Sequence, residues 1–368
     1  MELELSEDQE FFLETTRKFL AAECPLPEVR ALEHDPAGYH LDWWRRGAEL
    51  GWTSMLVPES DGGGSLSEHG LLDLVLVAEE MGRLVSPGPL VPVSVVAAAL
   101  ARSGTAEQRA AVLPGLVAGD AVATWCGTAP VDGELDGDTI VLAGTIAPVE
   151  AGAQAQHLLV GVRTADGLSQ VLVPSDAAGV TITPLGNLDL VRRFAEVRFD
   201  AVRLPRSAVV GALGAAADDV EHQLQVACVL QCAETVGILD RVFEMTLEYL
   251  GDRYSFGRPL SSYQALKHRV ADDKMVLEAC QATATAAARA VAAGAANAAE
   301  LVSVAKRWIG PEATELIQDC VQLHGGIGVT WEHDLHLYLR RATVNRATYG
   351  TPEWHAERLA TELLGAAS

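Results

Sequence analysis

Apolar positions in the first 120 residues return at helical spacing, with Phe12 and Phe19, and Leu13 and Leu20, each seven apart on one face. Ser6 followed by Gln9 predicts a capping box at the start of that helix. The run Asp61-Gly62-Gly63-Gly64 predicts a loop, and a second helix is expected from about Leu66 to Arg83, stopped by Ser86-Pro87-Gly88-Pro89. From residue 121 the texture changes to short β-type runs, Thr139-Leu142, His157-Val162, Ser169-Val173, Val180-Thr183 and Glu196-Phe199, separated by Gly, Asp and Pro. These predict a small antiparallel β domain. Beyond Val202-Arg203-Leu204-Pro205 and the glycines Gly211 and Gly214, alanine-rich helical patterns run to the end, as a helical bundle requires.

The expected fold is therefore α+β, with a helical domain over 1–120, a β domain over 121–212 and a four-helix bundle over 213–368. Gly294 and Asn297 place a turn between two bundle helices inside the alanine-rich stretch Ala287 to Ala299. The last helix has Thr351 as its N-cap, Pro352 at its first position and Gly365 past its final leucines.

With 368 residues and 49% hydrophobic content, the chain can bury a large core. A formal charge of −23 argues against nucleic acid and against an anionic membrane surface as partners. Six cysteines lie scattered without paired spacing, which predicts reduced, buried thiols and no metal site. The opening Met1-Glu2-Leu3-Glu4 lacks the positive region of a secretion signal, and the apolar stretch Leu84 to Ala101 carries Pro87, Pro89 and Pro92, a poor membrane span. A cytoplasmic protein is expected.

Two segments carry candidate chemistry. Arg253 to Gln264 places a guanidinium, the Ser255 hydroxyl, the Phe256 ring and the Gln264 amide in one loop entering a helix. Such a loop can hold a pyrophosphate by paired hydrogen bonds while an aromatic covers the adjacent sugar or base. It also suits an ordinary interhelix turn with a surface arginine. The second segment is a helical run from Glu312 to Leu323, with Leu316, Ile317, Cys320 and Val321 inward, followed by Gly325, Gly326 and Gly328. One glycine there is expected as a helix stop; several permit close approach of a phosphate or ribose. His324 is expected to pack.

Together these segments resemble the acyl-CoA dehydrogenase family along essentially the whole chain. The resemblance is carried by Trp43 to Pro58 with its Ala48-Glu49-Leu50-Gly51-Trp52, by Pro58-Glu59 with Gly62-Gly63, and by Glu79-Glu80-Met81-Gly82-Arg83. It continues in Asp252-Arg253-Tyr254-Ser255-Phe256-Gly257-Arg258-Pro259-Leu260, Tyr263-Gln264-Ala265 and Gln322-Leu323-His324-Gly325-Gly326-Ile327-Gly328. It implies FAD shared across a subunit interface, with Arg253, Ser255, Phe256, Tyr263, Gln264, Gln322, Gly325 and Gly326 reaching a neighbour's cofactor. The implied reaction removes an α-proton from an acyl thioester by a carboxylate while a hydride leaves the β-carbon for the flavin.

The resemblance also exposes losses. The family's Glu-Gly-Thr base motif falls on Tyr349-Gly350-Thr351, and its alternative base position falls on Ala227, with Cys228 where an arginine is common. A phenol with a pKa of about 10 would cost roughly 4 kcal/mol to ionise at neutral pH, so no catalytic residue is expected here. Glu234, Glu244 and Glu353 read as solvated faces of amphipathic helices. Thr128-Ala129-Pro130-Val131-Asp132-Gly133-Glu134 keeps a family turn but lacks its carboxylate and serine, and Pro148 stands where an aromatic usually meets the flavin ring.

The resemblance is to the base-lacking partner subunit of actinobacterial heteromeric, steroid-degradation acyl-CoA dehydrogenases. It implies as partners a homologous subunit carrying the catalytic Glu, an acyl-CoA and an electron-transfer flavoprotein or similar acceptor. A self-sufficient flavoenzyme with another base or an acyl-carrier-protein substrate, and a flavin-free scaffold, are the alternatives.

Overall fold

The computed structural model describes residues 5–366. Six helices come first: α1 (Glu7–Glu23), α2 (Leu26–Ala31), α3 (Leu41–Glu49), α4 (Gly70–Arg83), α5 (Leu90–Ser103) and α6 (Ala106–Val117). The capping box forms, Ser6 Oγ accepting from Gln9 N at 3.2 Å and Gln9 Oε1 from Ser6 N at 3.1 Å. Phe12, Thr16 and Leu20 form the buried stripe of α1, with Leu13 and Phe19 half-buried at its edges. The second expected helix starts at Gly70 rather than Leu66, because the Asp73 carboxylate turns back to accept from the backbone N–H of Leu66 and Ser67 at 3.0 and 2.8 Å. Pro92 sits in the first turn of α5, where its missing N–H costs nothing.

A seven-stranded sheet follows, made of β1 (Ala123–Asp136), β2 (Thr139–Glu150), β3 (His157–Thr164), β4 (Gly167–Pro174), β5 (Val180–Leu185), β6 (Phe194–Pro205) and β7 (Val209–Val210). Its order is β5-β6-β2-β1-β3-β4-β7. The pairing of β1 with β3 is parallel and the others are antiparallel, so the sheet is mixed rather than uniformly antiparallel. β1 belongs to none of the expected runs. The segment expected as a turn at 128–134 is instead a bulge inside it, between Cys126 and Val131.

The C-terminal region holds α7 (Ala217–Asp252), a short hairpin of β8 (Tyr254–Ser255) and β9 (Arg258–Pro259), then α8 (Gln264–Ala292), α9 (Ala298–His324), α10 (Leu335–Ala347) and α11 (Pro352–Ala366). Among the described residues this helical bundle has five helices, α8, α10 and α11 all packing on α9. The alanine-rich stretch is helical up to Ala292, and only 293–297 make the turn, with Gly294 at φ +60°. Thr351 caps α11 by accepting from Trp354 N at 3.3 Å, while Gly365 lies inside that helix rather than after it.

Packing divides the chain into two compact units that do not follow its order. One contains Ala31–Leu74 and Pro87–Ala227. Its helical part is centred on Trp43, Trp44 and Trp52, the rings of Trp43 and Trp52 meeting edge-on at 5.8 Å. A Cβ on Gly47 would fall 2.3 Å from the Trp52 ring, so packing alone accounts for that glycine. The other unit contains the chain up to Arg30, Val75–Ser86 and everything from Cys228. There α4 and α7 approach through reciprocal glycines: a Cβ on Gly82 would stand 2.0 Å from the Glu234 carbonyl oxygen, and one on Gly237 1.9 Å from that of Glu79.

Candidate functional site

The two candidate segments, Arg253 to Gln264 and Gln322 to Gly328, leave from one brace at the end of the helical bundle. The ring of Tyr249, on the last turns of α7, stacks on the buried His324, the final residue of α9, at 4.5 Å. His324 Nδ1 lies 2.8 Å from Cys320 O, and burial holds the imidazole below its ordinary range. His324 is thus a packing residue. One helical turn beyond Tyr249, Arg253 bonds its N–H to the Tyr249 carbonyl at 2.9 Å and opens the β8-β9 hairpin.

The hairpin tip is Phe256-Gly257, with φ of +50° and +77°. That is the backbone of a primed two-residue turn, for which Asn-Gly is the favoured pair. Phenylalanine is an unfavourable choice there, and its ring is 97% exposed. The chain therefore holds a large apolar ring in water on a strained backbone. Tyr263 braces the hairpin: its hydroxyl donates to Ser255 O at 2.8 Å and the Arg258 guanidinium covers its ring at 3.8 Å. Arg253 and Gln264 are exposed, and Arg253 makes no ion pair among the described residues.

In the glycine motif each residue has a different reason. Gly325 adopts φ +64°, ψ −141°, a conformation closed to other residues. Gly328 is buried, and a Cβ there would press on Val321 O at 2.6 Å. Gly325 and Gly326 are both exposed with nothing within 4 Å of a would-be Cβ, so these two present open backbone. Gln322 is exposed on the turn before it, and Ile327 and Val329 add exposed apolar surface, Val329 at 77%.

The turn after α10 is built quite differently. Tyr349 stands at φ +56° and Gly350 at φ +95°. The Tyr349 carbonyl accepts from the buried Cys228 thiol at 3.5 Å and from His355 Nε2 at 3.1 Å. His355 Nδ1 lies 3.2 Å from Ser303 Oγ, so the neutral ring donates from Nε2 and accepts from the serine. Burial lowers this histidine to about 4. Just upstream, the buried ammonium of Lys306 donates to Gln231 Oε1, to Asn345 O at 2.8 Å and to Thr348 O at 2.9 Å. The Gln231 amide in turn donates to Thr348 Oγ1.

Glu234 is no solvated face. It is 4% exposed, with Oε1 accepting from Arg341 at 2.7 Å and Oε2 from Asn345 at 2.9 Å. Its low exposure corrects the sequence expectation, which could not see the distant arginine. Glu244 opposes Arg83 at 2.6 Å and Arg241 at 3.2 Å; burial works against its charge, but the arginines outweigh it and hold the carboxyl below its usual range. Glu353 is exposed and held low by its own backbone N–H and the Thr351 hydroxyl at the start of α11.

Burial pushes Glu79 up to about 7 and Asp273 up to about 6. Neither reaches the Tyr349 turn. Glu79 packs against Gly237, nine residues along α7 from Cys228, about 13 Å by helical rise. Asp273 neighbours Cys320, which hydrogen-bonds Thr246, roughly 27 Å from Cys228 along α7. Ala227 is fully buried and carries no titratable group. Pro148 is exposed, within a second bulge between Ile146 and Val149.

Residues 6–120 match the acyl-CoA dehydrogenase N-terminal domain and residues 217–364 the acyl-CoA dehydrogenase C-terminal domain. This chain belongs to the acyl-CoA dehydrogenase family. The acyl-CoA dehydrogenase IpdE2 of Mycolicibacterium smegmatis is 30% identical over 98% of the chain and 100% of its own length. The solved steroid ACAD Tcur3481-Tcur3483, in a variant form, matches with TM-score 0.88 and 30% identity over 98% of this chain and 99% of that one. The ChsE4-ChsE5 complex from Mycobacterium tuberculosis matches with TM-score 0.90 and 26% identity over 99% of each chain. The family fold is a helical N-terminal domain, a β-sheet middle domain and a helical C-terminal domain, and its members bind FAD.

Among the described residues, no helix is long and apolar enough to cross a membrane. All six cysteines are buried and none is in a disulfide. Sequence reasoning missed Lys306, Gln231 and His355, the groups that hold the Tyr349 turn. A lysine inside an otherwise apolar helical face, between Ala305 and Ile309, was the available signal.

Proposed function

We propose that this chain is the base-lacking partner subunit of a FAD-dependent acyl-CoA dehydrogenase that introduces an α,β double bond into an acyl-CoA, as one half of a heterotetramer acting in steroid breakdown. The carrying observation is the Tyr349 turn. Where the family's glutamate is expected by resemblance, this chain holds a phenol on a backbone fixed by Cys228, His355 and Lys306. The carboxylates nearest in sequence are bound to arginines or exposed at a helix start.

The nucleotide-side residues fit FAD. Arg253 and Gln264 are exposed, Gly326 offers open backbone, and Phe256 projects a ring that gains nothing in the isolated chain. With Ser255, Tyr263, Gln322 and Gly325 they would hold the adenosine side of a flavin housed by a sister subunit. That flavin supplies hydride acceptance when bound. Two solved relatives, a steroid ACAD and ChsE4-ChsE5, carry paired names, and they support both the heteromeric and the steroid part of the reading. An electron-transfer flavoprotein or similar acceptor would reoxidise the complex in the cytoplasm.

The test is purification of the chain alone and with a co-expressed family member that retains Glu-Gly-Thr. Colourless, inactive protein alone and a yellow, active complex are expected. A yellow, active homo-oligomer would overturn the proposal. Tyr349→Phe in the complex should leave turnover within about twofold, since no proton moves through that phenol.

A further inference from the structure

We infer that Lys306 is a positioning residue whose buried ammonium locks the left-handed turn carrying Tyr349, at the position where the family resemblance places the base. The lock is read from geometry alone, and its bearing on the reaction rests on the function proposed above.

Lys306 is 4% exposed and its three donors meet three neutral acceptors, Gln231 Oε1, Asn345 O and Thr348 O. An ammonium without a carboxylate is an expensive thing to bury, and burial lowers its pKa accordingly. The favourable partner is the C-terminal end of α10, where orphan carbonyls and the helix dipole both favour a cation. Gln231 completes the clamp, because the same amide group accepts from Lys306 and donates to Thr348 Oγ1. The residue after Thr348 is Tyr349, at φ +56°, a conformation that a bulky L-residue keeps only when its surroundings over-determine it. Lys306 and Gln231 fix the turn before Tyr349, while Cys228 and His355 fix its carbonyl.

The test compares native-state hydrogen exchange in wild type, Lys306→Met and Lys306→Arg, in the co-expressed complex. Lys306→Met should speed exchange of the amides at 348–351 at least about tenfold, the loss of one or two buried hydrogen bonds, with the α8-α9 amides unchanged. Lys306→Arg should restore part of the protection, since it keeps a cation with several donors facing Asn345 O and Thr348 O. Unchanged exchange in the turn, or a loss spread evenly through the bundle, would overturn the lock. If Lys306→Met does not fold, Gln231→Leu carries the same readout and the same two outcomes.

Discussion

Tyr249 and His324 stack with ring centroids 4.5 Å apart and planes 22° from parallel. This contact joins the last turns of α7 to the last residue of α9, so the Arg253 hairpin and the Gly325-Gly326 backbone start from one rigid point. Neither ring needs to touch a nucleotide for the pair to matter.

Replacing Tyr249 by Leu keeps apolar volume but removes the stack, worth about 0.5–1.5 kcal/mol. The expected result is a folded chain whose co-expressed complex releases FAD up to about tenfold more readily. Fluorescence of flavin released on dilution measures it. Unaltered retention would detach the brace from cofactor holding.

Phe256 sets the isolated chain against the assembly. Its positive φ and 97% exposure are unfavourable in the free subunit, and asparagine tolerates that backbone better. Phe256→Asn should therefore raise the unfolding free energy of the chain alone by about 0.5–1 kcal/mol. The same substitution should weaken association with the sister subunit at least about tenfold, as loss of an aromatic anchor does. Denaturant melts and analytical ultracentrifugation give the two numbers, and a shift of both in the same direction would count against an interface role.

The parts legible in the sequence were those decided locally. Ser6 and Gln9 are three apart and form their box, and Thr351 and Pro352 start their helix. What was hidden depends on partners far along the chain. Glu234 looks solvated until Arg341 and Asn345 fold against it, and Lys306 gains its acceptors only where α10 ends over it. β1 was missed because Gly127, Pro130 and Gly133 interrupt its apolar run; a bulge absorbs the first two, and Gly133 pairs in register with Leu142.

The Glu234-Arg341 pair is buried at both ends, with the Arg341 side chain 1% exposed. Removing one partner strands a charge: Arg341→Met should cost about 3–5 kcal/mol. Glu234→Leu with Arg341→Met should recover most of that loss, because the desolvation penalty disappears along with the attraction. Urea midpoints of the two single variants and the double variant test the coupling. Additive losses would mean the pair does not act as a unit.

Asp273 is a buried carboxyl whose Oδ2 has no hydrogen-bond partner among the described residues. Burial raises it to about 6, above the 3.8 of an unperturbed aspartate. A folded-state value above the unfolded one means that stability is greatest below the unfolded pKa and falls as pH rises through about 6. Asp273→Asn should thus stabilise the chain by about 1–2 kcal/mol at pH 8 and leave it little changed at pH 4.5. Thermal melts at the two pH values measure it. An equal effect at both would remove titration of Asp273 as the cause.

His355 works with the opposite sign. Its ring is fully buried between Ser303 and the Tyr349 carbonyl, and its pKa falls from 6.5 to about 4 through burial first and the nearby Lys306 charge second. Between those values the unfolded chain binds a proton that the folded chain refuses. Stability is therefore fully present above pH 6.5 and is lost as pH falls toward 4, by up to about 3 kcal/mol from this group. His355→Gln offers an amide donor to the Tyr349 carbonyl without a titrating ring, so it should lower stability at neutral pH and flatten the slope between pH 6.5 and 4. Denaturant midpoints every half pH unit for both proteins give the comparison. Parallel slopes would assign the acid sensitivity to other groups, whereas a flattened slope places the acid-labile step at the joint that also holds Tyr349.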